Sequence, residues 1–555
     1  MATNPLLPPQ KGDLPNDLWF EIATLVEPSD LLTLKAVCKV FHDFFAEREL
    51  WVYVLYALCH RHCLFIPSYP IDDMTTMELQ RAALGPRRWE ELLKANGSPV
   101  ADIRKMSMLR PVNMREHYTL GANTGSKHFL VPGGRFLVTA TFDSVTLWDL
   151  GAVGRTPLSP PLKIASATVG TRALKTELAT EALELTVVPV DGTTLRVAVA
   201  LRGKSQTLFE VFDISPGRKG ASLSSIGVLS AESRIETYPR FRNLLIHGNI
   251  LHASLTRFDI SLVWDFSINR YILGPLRAGP VLVEIPRKAF IGSSIIEFGK
   301  DSLHLWPVSL TDGVAGEVIL GSAVDLDADL HRIMEGKQEF PYPTWRGMAR
   351  VMTTVHIPPI WQSANSVFPL TFDIIRDTWA DVPADDAATG YRYQLDIIGK
   401  ANHTEITNQP KLDVSFKLVA TFDFPPGFSY TPLMDSAPSA VQGAQGNSAS
   451  IMMKLSTPRR LSRNPTETMY AMYTLPFPGH SPTTKLRALT TPIRRSDAHP
   501  PPPRPPPGQW PASEPEATHH CVCSASGRLV FTTWLNDIPV STIVSDFLSP
   551  WIDMS

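Results

Sequence analysis

DLPNDLWFEIATLVEPSDLLTLKAVCKVFHDFFAERELW, residues 13–51, carries the strongest pattern in the chain. Pro15 suits the first position of a helix, where an N–H is not needed, and Asp17 puts negative charge in the first turn. Leu18, Ile22 and Leu25 then fall four and three residues apart, on one face of a short helix that ends near Glu27-Pro28. Ser29 can cap a second helix, with Asp30 at its start and Leu31, Leu34, Cys38, Phe41 and Phe45 recurring at three, four, three and four. Val37 and Phe44 widen that face. About forty residues cannot bury so much apolar surface among themselves, so part of it is expected to meet another protein.

The next stretch, WVYVLYALC, is apolar nearly all round and predicts a buried helix, broken at Pro67-Ser68-Tyr69-Pro70. Thr75 and Glu78 have capping-box spacing, and MELQRAAL runs to Gly85-Pro86, a usual helix end, with a further short helix from Trp89 to Lys94. Beyond about residue 118 the period changes to short alternating apolar runs between Gly, Pro, Asn and Asp. Four segments read alike as strand, turn, strand: Arg135 to Leu150, Leu195 to Ile214, Ile250 to Phe266 and Ala289 to Val308. Their closing aromatics, Trp148, Phe212, Trp264 and Trp306, lie 64, 52 and 42 residues apart. Repetition on that scale suggests a β-propeller, of about seven units at roughly 60 residues each if residues 119–555 form one. A smaller propeller with long insertions, or two β domains, fits the same spacing. Trp148-Asp149 and Trp264-Asp265 resemble WD repeats, although Asp213 follows Phe and Pro307 stands where Asp would.

The order Leu14-Pro15, Leu18, Ile22, Asp30-Leu31, Leu34, Val37-Cys38-Lys39, Phe41-His42 and Leu50-Trp51 resembles the F-box, a three-helix motif that docks on the Skp adaptor of cullin-RING ubiquitin ligases. The stretch from Trp51 through DDMTTMELQRAALGPRRW, which ends at residue 89, resembles the continuation seen in large families of mushroom-forming fungi. The resemblance implies that Leu14, Pro15, Leu18, Ile22, Leu31, Leu34, Val37, Cys38, Leu50 and Trp51 lie at or just behind an adaptor surface, divided between contacts and the motif's own core. It also implies a cullin reached through the adaptor and a protein target held by the rest of the chain. The same apolar stripe would serve a helical cap packed on the following domain.

The expected architecture is therefore α+β and multidomain: a disordered tail at 1–12, a three-helix F-box at 13–60, a helical linker at 61–118, and an all-β propeller-like domain at 119–555. Mobile loops are expected near 436–450 and 482–515, the latter containing HPPPPRPPPGQWPASEP. With 19% charged residues and a formal net charge of −2, the chain has no electrostatic footprint for nucleic acid. Five unevenly placed cysteines make no disulfide framework and fit a reducing compartment, cytosol or nucleus, and no apolar run is long enough for a membrane span.

No nucleophile elbow, H-E-x-x-H, P-loop or G-x-G-x-x-G motif is present, so a non-catalytic subunit without a cofactor is expected. Cys59-His60-Arg61-His62-Cys63 and His519-His520-Cys521-Val522-Cys523 offer metal-ligating atoms. Neither has four-ligand zinc spacing, and buried thiols on a helix and a strand are the plainer reading. The function this predicts is the substrate receptor of an SCF-type ubiquitin ligase; the alternative is an F-box scaffold acting in assembly outside the ligase.

Overall fold

The computed structural model describes residues 15–170 except 63, 97, 100–112, 118–126, 156–157 and 159, and residues 182–273 except 203–205, 218–219, 233–240 and 256–259. From residue 287 on it describes the strands given below together with 308, 525–527 and 547–548. Leu14, the tail at 1–12, Cys63 and most of the two proline- and glycine-rich loops lie outside the described residues.

Five α-helices come first: α1 (Asn16–Leu25), α2 (Pro28–Lys35), α3 (Lys39–Phe44), α4 (Arg48–Arg61) and α5 (Thr76–Asn96). Pro15 is the residue before α1 rather than its first, and Pro28, not a Ser29 cap, opens α2. The single helix expected from Ser29 to Phe45 is two. Val37 N–H closes a tight turn on the Leu34 carbonyl, and Cys38 is fully extended at φ −155° and ψ 165° before α3 restarts. With that break Leu31, Phe44 and Phe45 share one core while Val37, Cys38 and Val40 are left exposed.

The capping box at the start of α5 forms: Thr75 N–H donates to Glu78 Oε2 at 2.7 Å, and Glu78 N–H donates to Thr75 Oγ1 at 3.3 Å. Gly85-Pro86 does not end the helix, which runs through Pro86 to Asn96. A proline there costs about 3 kcal/mol. Tertiary contacts on both sides of it offset that cost. Ala82 lies under Gly154, Trp89 stacks edge-on to Phe547 at 6.2 Å, and a Cβ on Gly85 would come within 2.1 Å of the Ala525 carbonyl oxygen. Gly85 is thus a packing residue and not a stop.

The β region contains seven mainly antiparallel sheets among the described residues. The first is Lys127–Leu130, Phe136–Ala140, Ser144–Asp149 and Leu162–Thr168. The second is Ala182–Pro189, Leu195–Arg202, Gln206–Ile214 and Ser224–Glu232; the third is Phe241–His247, Ile250–Leu255, Ile260–Asp265 and Arg270–Leu273. The fourth is Arg287–Ile291, Ser294–Phe298, Ser302–Pro307 and Gln338–Pro341; the fifth is Val351–His356, Leu370–Thr378, Thr389–Ile398 and Asp413–Asp423. The sixth is Ser429–Pro432, Ser448–Ser456, Thr468–Pro476 and Arg487–Pro492; the seventh is Ala517–Cys523, Arg528–Leu535 and Ile538–Asp546, completed by Asn113–His117.

Three of the four hairpins read from the sequence are central strands of the first three sheets; the fourth, Ala289 to Val308, begins within the first strand of its sheet and takes in the second and third, and Trp148, Phe212, Trp264 and Trp306 each stand on a third strand. Two expectations are corrected. The linker at 61–118 is not helical throughout: Ser98–Pro99 pairs with Arg487–Pro492, and Asn113–His117 pairs with Ile538–Asp546, over four hundred residues away. Residues 448–450 and 487–492, assigned to loops by composition, belong to paired strands that satisfy their backbone. A segment inserted in the fourth sheet also returns along earlier ones, where Gly316–Glu317 pairs with the outer strand of the third and Ala323–Asp325 runs parallel to that of the second.

A repeated Arg–Asp pair fastens the sheets. Arg135 meets Asp149 at 2.8 Å, Arg196 meets Asp213 at 2.7 Å and Arg528 meets Asp546 at 3.4 Å, each joining the start of a second strand to the end of a third. Each guanidinium also reaches beyond its own sheet. Arg196 donates to the Gly248 carbonyl of the third sheet at 2.6 Å, and Arg135 donates to the Pro67 carbonyl of the helical part at 3.3 Å. Arg528, from the seventh sheet, donates to the carbonyls of Gly134 and Gly151 at 2.8 and 2.7 Å, locking it to the first. Arg528→Leu is expected to cost about 3–5 kcal/mol, because Asp546 and both carbonyls are left buried without their cation; urea unfolding monitored by tryptophan fluorescence measures it.

Candidate functional site

Helices α1–α4 are assembled by aromatic rings. Trp19 meets Phe41 edge-on at 5.0 Å, Phe20 meets Phe44 at 5.7 Å and Tyr53 at 5.3 Å, and Phe44 meets Phe45 at 5.3 Å. Such pairs add about 0.5–1.5 kcal/mol each beyond area burial. Two polar clamps fix the helix ends. Arg61 donates to Glu27 Oε1 at 3.1 Å and to the Thr24 carbonyl at 2.8 Å, tying the end of α4 to the end of α1. Arg48 donates to the carbonyls of Ile71 and Met74 at 2.6 and 3.0 Å, tying the start of α4 to the connection before α5.

The residues expected at or behind a partner surface divide into two sets. Leu31, Leu50 and Trp51 are fully buried, and the Trp51 indole N–H donates to the Phe45 carbonyl at 2.8 Å. These three are core. Ile22 and Leu34 are half-buried, whereas Pro15, Leu18, Val37 and Cys38 are exposed. Leu25, Val40, Tyr53 and Tyr56 are exposed as well, with Leu25 at 78%, Val37 at 65% and Val40 at 60%. Periodicity could not find Val40 or Tyr53 as surface, because the break at Cys38 turns α3 and the face of α4 is set by what packs on it. Helices α1–α4, with a filled core, thus leave these aliphatic and aromatic side chains exposed to solvent.

Among the described residues no group of three His, Cys, Asp or Glu side chains could hold an ion; Cys63 and the side chains of His519 and His520, from the two Cys/His clusters, lie outside them. Cys59 is buried and its thiol is pushed far up by loss of solvent. His62 is lowered to about 4, chiefly by burial and secondarily by the neighbouring Arg61 cation. In the other cluster Cys521 Sγ donates to the His128 carbonyl at 3.1 Å, and Cys523 Sγ accepts from Gly133 N–H at 3.3 Å. Both thiols stitch the seventh sheet to the first.

In the fourth sheet Ser302 Oγ lies 3.0 Å from His304 Nε2, and His304 Nδ1 lies 3.4 Å from Glu297 Oε1. The order matches a proton relay, but Glu297 and His304 are directly opposed strand partners and all three side chains are buried between strands. Buried and bonded to one another, they read as a polar cluster within the sheet.

Residues 12–56 match the family model described as F-box-like, so the chain carries an F-box-like domain over α1–α4. Domains of this family generally bind Skp-type adaptors and belong to non-catalytic ligase subunits. No curated protein sequence matches the chain. Among solved structures it is similar to a humanized mutant of the Chaetomium thermophilum Polycomb Repressive Complex 2 bound to the inhibitor GSK343, at 10% identity and TM-score 0.31, covering 67% of this chain and 73% of that one. It is similar to the complex of the fission yeast SREBP-SCAP binding domains at 9% identity and TM-score 0.30, covering 56% and 75%. Scores this low establish no common fold.

Two outcomes follow from the burial. Trp51→Ala is expected to destabilise the protein by about 3–5 kcal/mol, and Val37→Ser by no more than about 0.5 kcal/mol, in denaturant titrations. For His62, whose folded value of about 4 lies below the ordinary 6.5, the unfolded chain takes up the proton first. Its contribution is therefore complete above pH 6.5 and is lost as pH falls toward 4, by up to about 2 kcal/mol at pH 5. A His62→Gln variant should show a correspondingly smaller drop in urea midpoint between pH 7.5 and pH 5.

Proposed function

From the F-box-like domain at residues 12–56 we propose that this chain is the substrate receptor of an SCF-type cullin-RING ubiquitin ligase. The observation that carries the proposal is the exposure of Leu18, Leu25 and Val40 on the helices, and of Val37 in the turn between α2 and α3, beside a buried aromatic core. Burying an aliphatic side chain of this size gains about 1.5–3 kcal/mol, enough for a few of them to anchor a partner. Skp-type adaptor contacts are assigned to the exposed members of the set, Pro15, Leu18, Val37 and Cys38, with Ile22 and Leu34 at the margin. Leu31, Leu50 and Trp51 shape the surface from behind. The adaptor would bring the cullin.

The seven sheets are proposed to form one propeller that recruits the protein target. Three features support this reading. First strands of successive sheets lie against one another, from Ala517–Cys523 to Lys127–Leu130, Ala182–Pro189, Phe241–His247 and Arg287–Ile291. Among the described residues, apolar clusters join the first sheet to the second, the second to the third, the third to the fourth and the fourth to the fifth, the last through Phe298 and Leu305 with Phe372 and Tyr393. Asn113–His117, from the start of the region, completes the last sheet.

The helical part meets the β region at the turns between first and second strands, near Gly133 and Ala525, and at Gly154 after a third strand. The opposite strand ends, including the Thr141–Ser144 turn, therefore face away from the adaptor side and are the proposed target face. Holding the target on a rigid body at a fixed distance from the conjugating enzyme is the whole of the mechanism; the chain makes and breaks no bond. The location this requires is cytosol or nucleus.

The test is co-purification of the tagged chain with purified Skp-type adaptor and cullin, comparing wild type with Leu18→Asp/Val37→Asp. The expected result is recovery of both partners by wild type and at least a tenfold loss with the variant, whose circular dichroism is unchanged. Adaptor without cullin would point to a scaffold outside the ligase, and recovery of neither would overturn the proposal.

A further inference from the structure

The helices bearing the exposed apolar face and the strands where the β region begins and ends share one core. Leu31 and Trp51 continue through Tyr69 and Leu79 into Leu137 of the first sheet and Val544 of the seventh. Tyr69 is fully buried in that core and its hydroxyl is held well above the ordinary phenol range, first by burial and then by the nearby Cys59 and Cys523. One residue of the helical part, the first sheet and the seventh sheet thus meet at a single place. The first and seventh sheets are themselves joined by Arg528 and Cys521.

The helical part straddles that seam. On the first sheet, Phe65 N–H and Ser68 Oγ both donate to the Pro132 carbonyl, at 3.1 and 3.2 Å, and Arg135 returns a bond to the Pro67 carbonyl. On the seventh, α5 closes on Ala525 so tightly that only a glycine fits at position 85, and Trp89 covers Phe547. A brace on both sides of a joint must be lifted before the joint can open.

We propose that the helical part is the clasp of this seam: the first and last sheets separate only when residues 64–96 come away, and a partner seated on the apolar face of α1–α4 therefore holds the seam closed. The second half rests on the adaptor-docking function proposed above; the first half does not. A partner that binds only the closed form slows opening-dependent exchange by the factor 1 + [L]/Kd.

Hydrogen exchange of the full chain, read by mass spectrometry, tests both halves. Gly85→Ala drives a methyl group into the Ala525 carbonyl. It is expected to speed exchange tenfold or more in Arg528–Leu535 and Phe136–Ala140, while Ile250–Leu255 of the third sheet is unchanged. Gly192→Ala, whose added carbon meets nothing within 4 Å, should change neither. Faster exchange confined to α5, or an equal rise in all sheets, overturns the clasp. In wild type, purified Skp-type adaptor at about a hundred times its Kd is expected to slow the seam strands about a hundredfold, in step with α4. Protection of α4 with the seam unchanged also overturns the clasp. No protection of α4 overturns the docking reading instead, and the Gly85 comparison alone then decides the clasp.

Discussion

A guanidinium with 1% of its surface exposed has to find acceptors, and two of those of Arg528 lie almost four hundred residues earlier in the chain. Desolvation disfavours its charge and lowers its pKa, with Asp546 opposing that shift. The Gly134 and Gly151 carbonyls supply the remaining partners. Because an uncompensated buried cation is so costly, the geometry that satisfies this one side chain also fixes the first sheet against the seventh. Gly134 can approach because it lacks a side chain: a Cβ there would meet the Ser526 hydroxyl at 2.0 Å, and its φ of +72° favours glycine.

The same arrangement recurs with different receivers. Arg196 spends its extra donors on the third sheet and Arg135 on the helical part, so one Arg–Asp device serves sheet-to-sheet and module-to-module joints alike. This explains how a β region with few Trp-Asp pairs keeps its sheets in order. The polar clamps add to apolar contacts such as Gly227 under Trp264, where a side chain would collide with the ring.

Function, as proposed, depends on the N-terminal helices being both sticky and rigid. The stickiness comes from splitting α2 from α3 at Val37-Cys38, which leaves Val37 and Val40 outward while Phe44 and Phe45 fill the interior. The rigidity comes from α5. Its run through Pro86 would be unfavourable in isolation, and it persists because Ala82, Gly85 and Trp89 each have a close partner in the β region.

Local chemistry in the sequence was enough to identify the F-box-like helices, the Thr75–Glu78 cap, the change to strand period near residue 118 and the four hairpins with their aromatic ends. These depend on neighbours a few positions apart, and residues that close cannot avoid one another. Half of the candidate site was legible in the same way, as apolar positions, but not which of them were core and which surface. Leu31 and Trp51 share their pattern with Leu18 and Val37, and only packing separates them. Tertiary structure alone decided the break at Cys38, the continuation past Pro86, the return of 113–117 to the last sheet and the bridging by Arg528. Each is settled by a partner distant in sequence, whose gain in buried contact or satisfied hydrogen bond outweighs a local preference of at most a few kcal/mol.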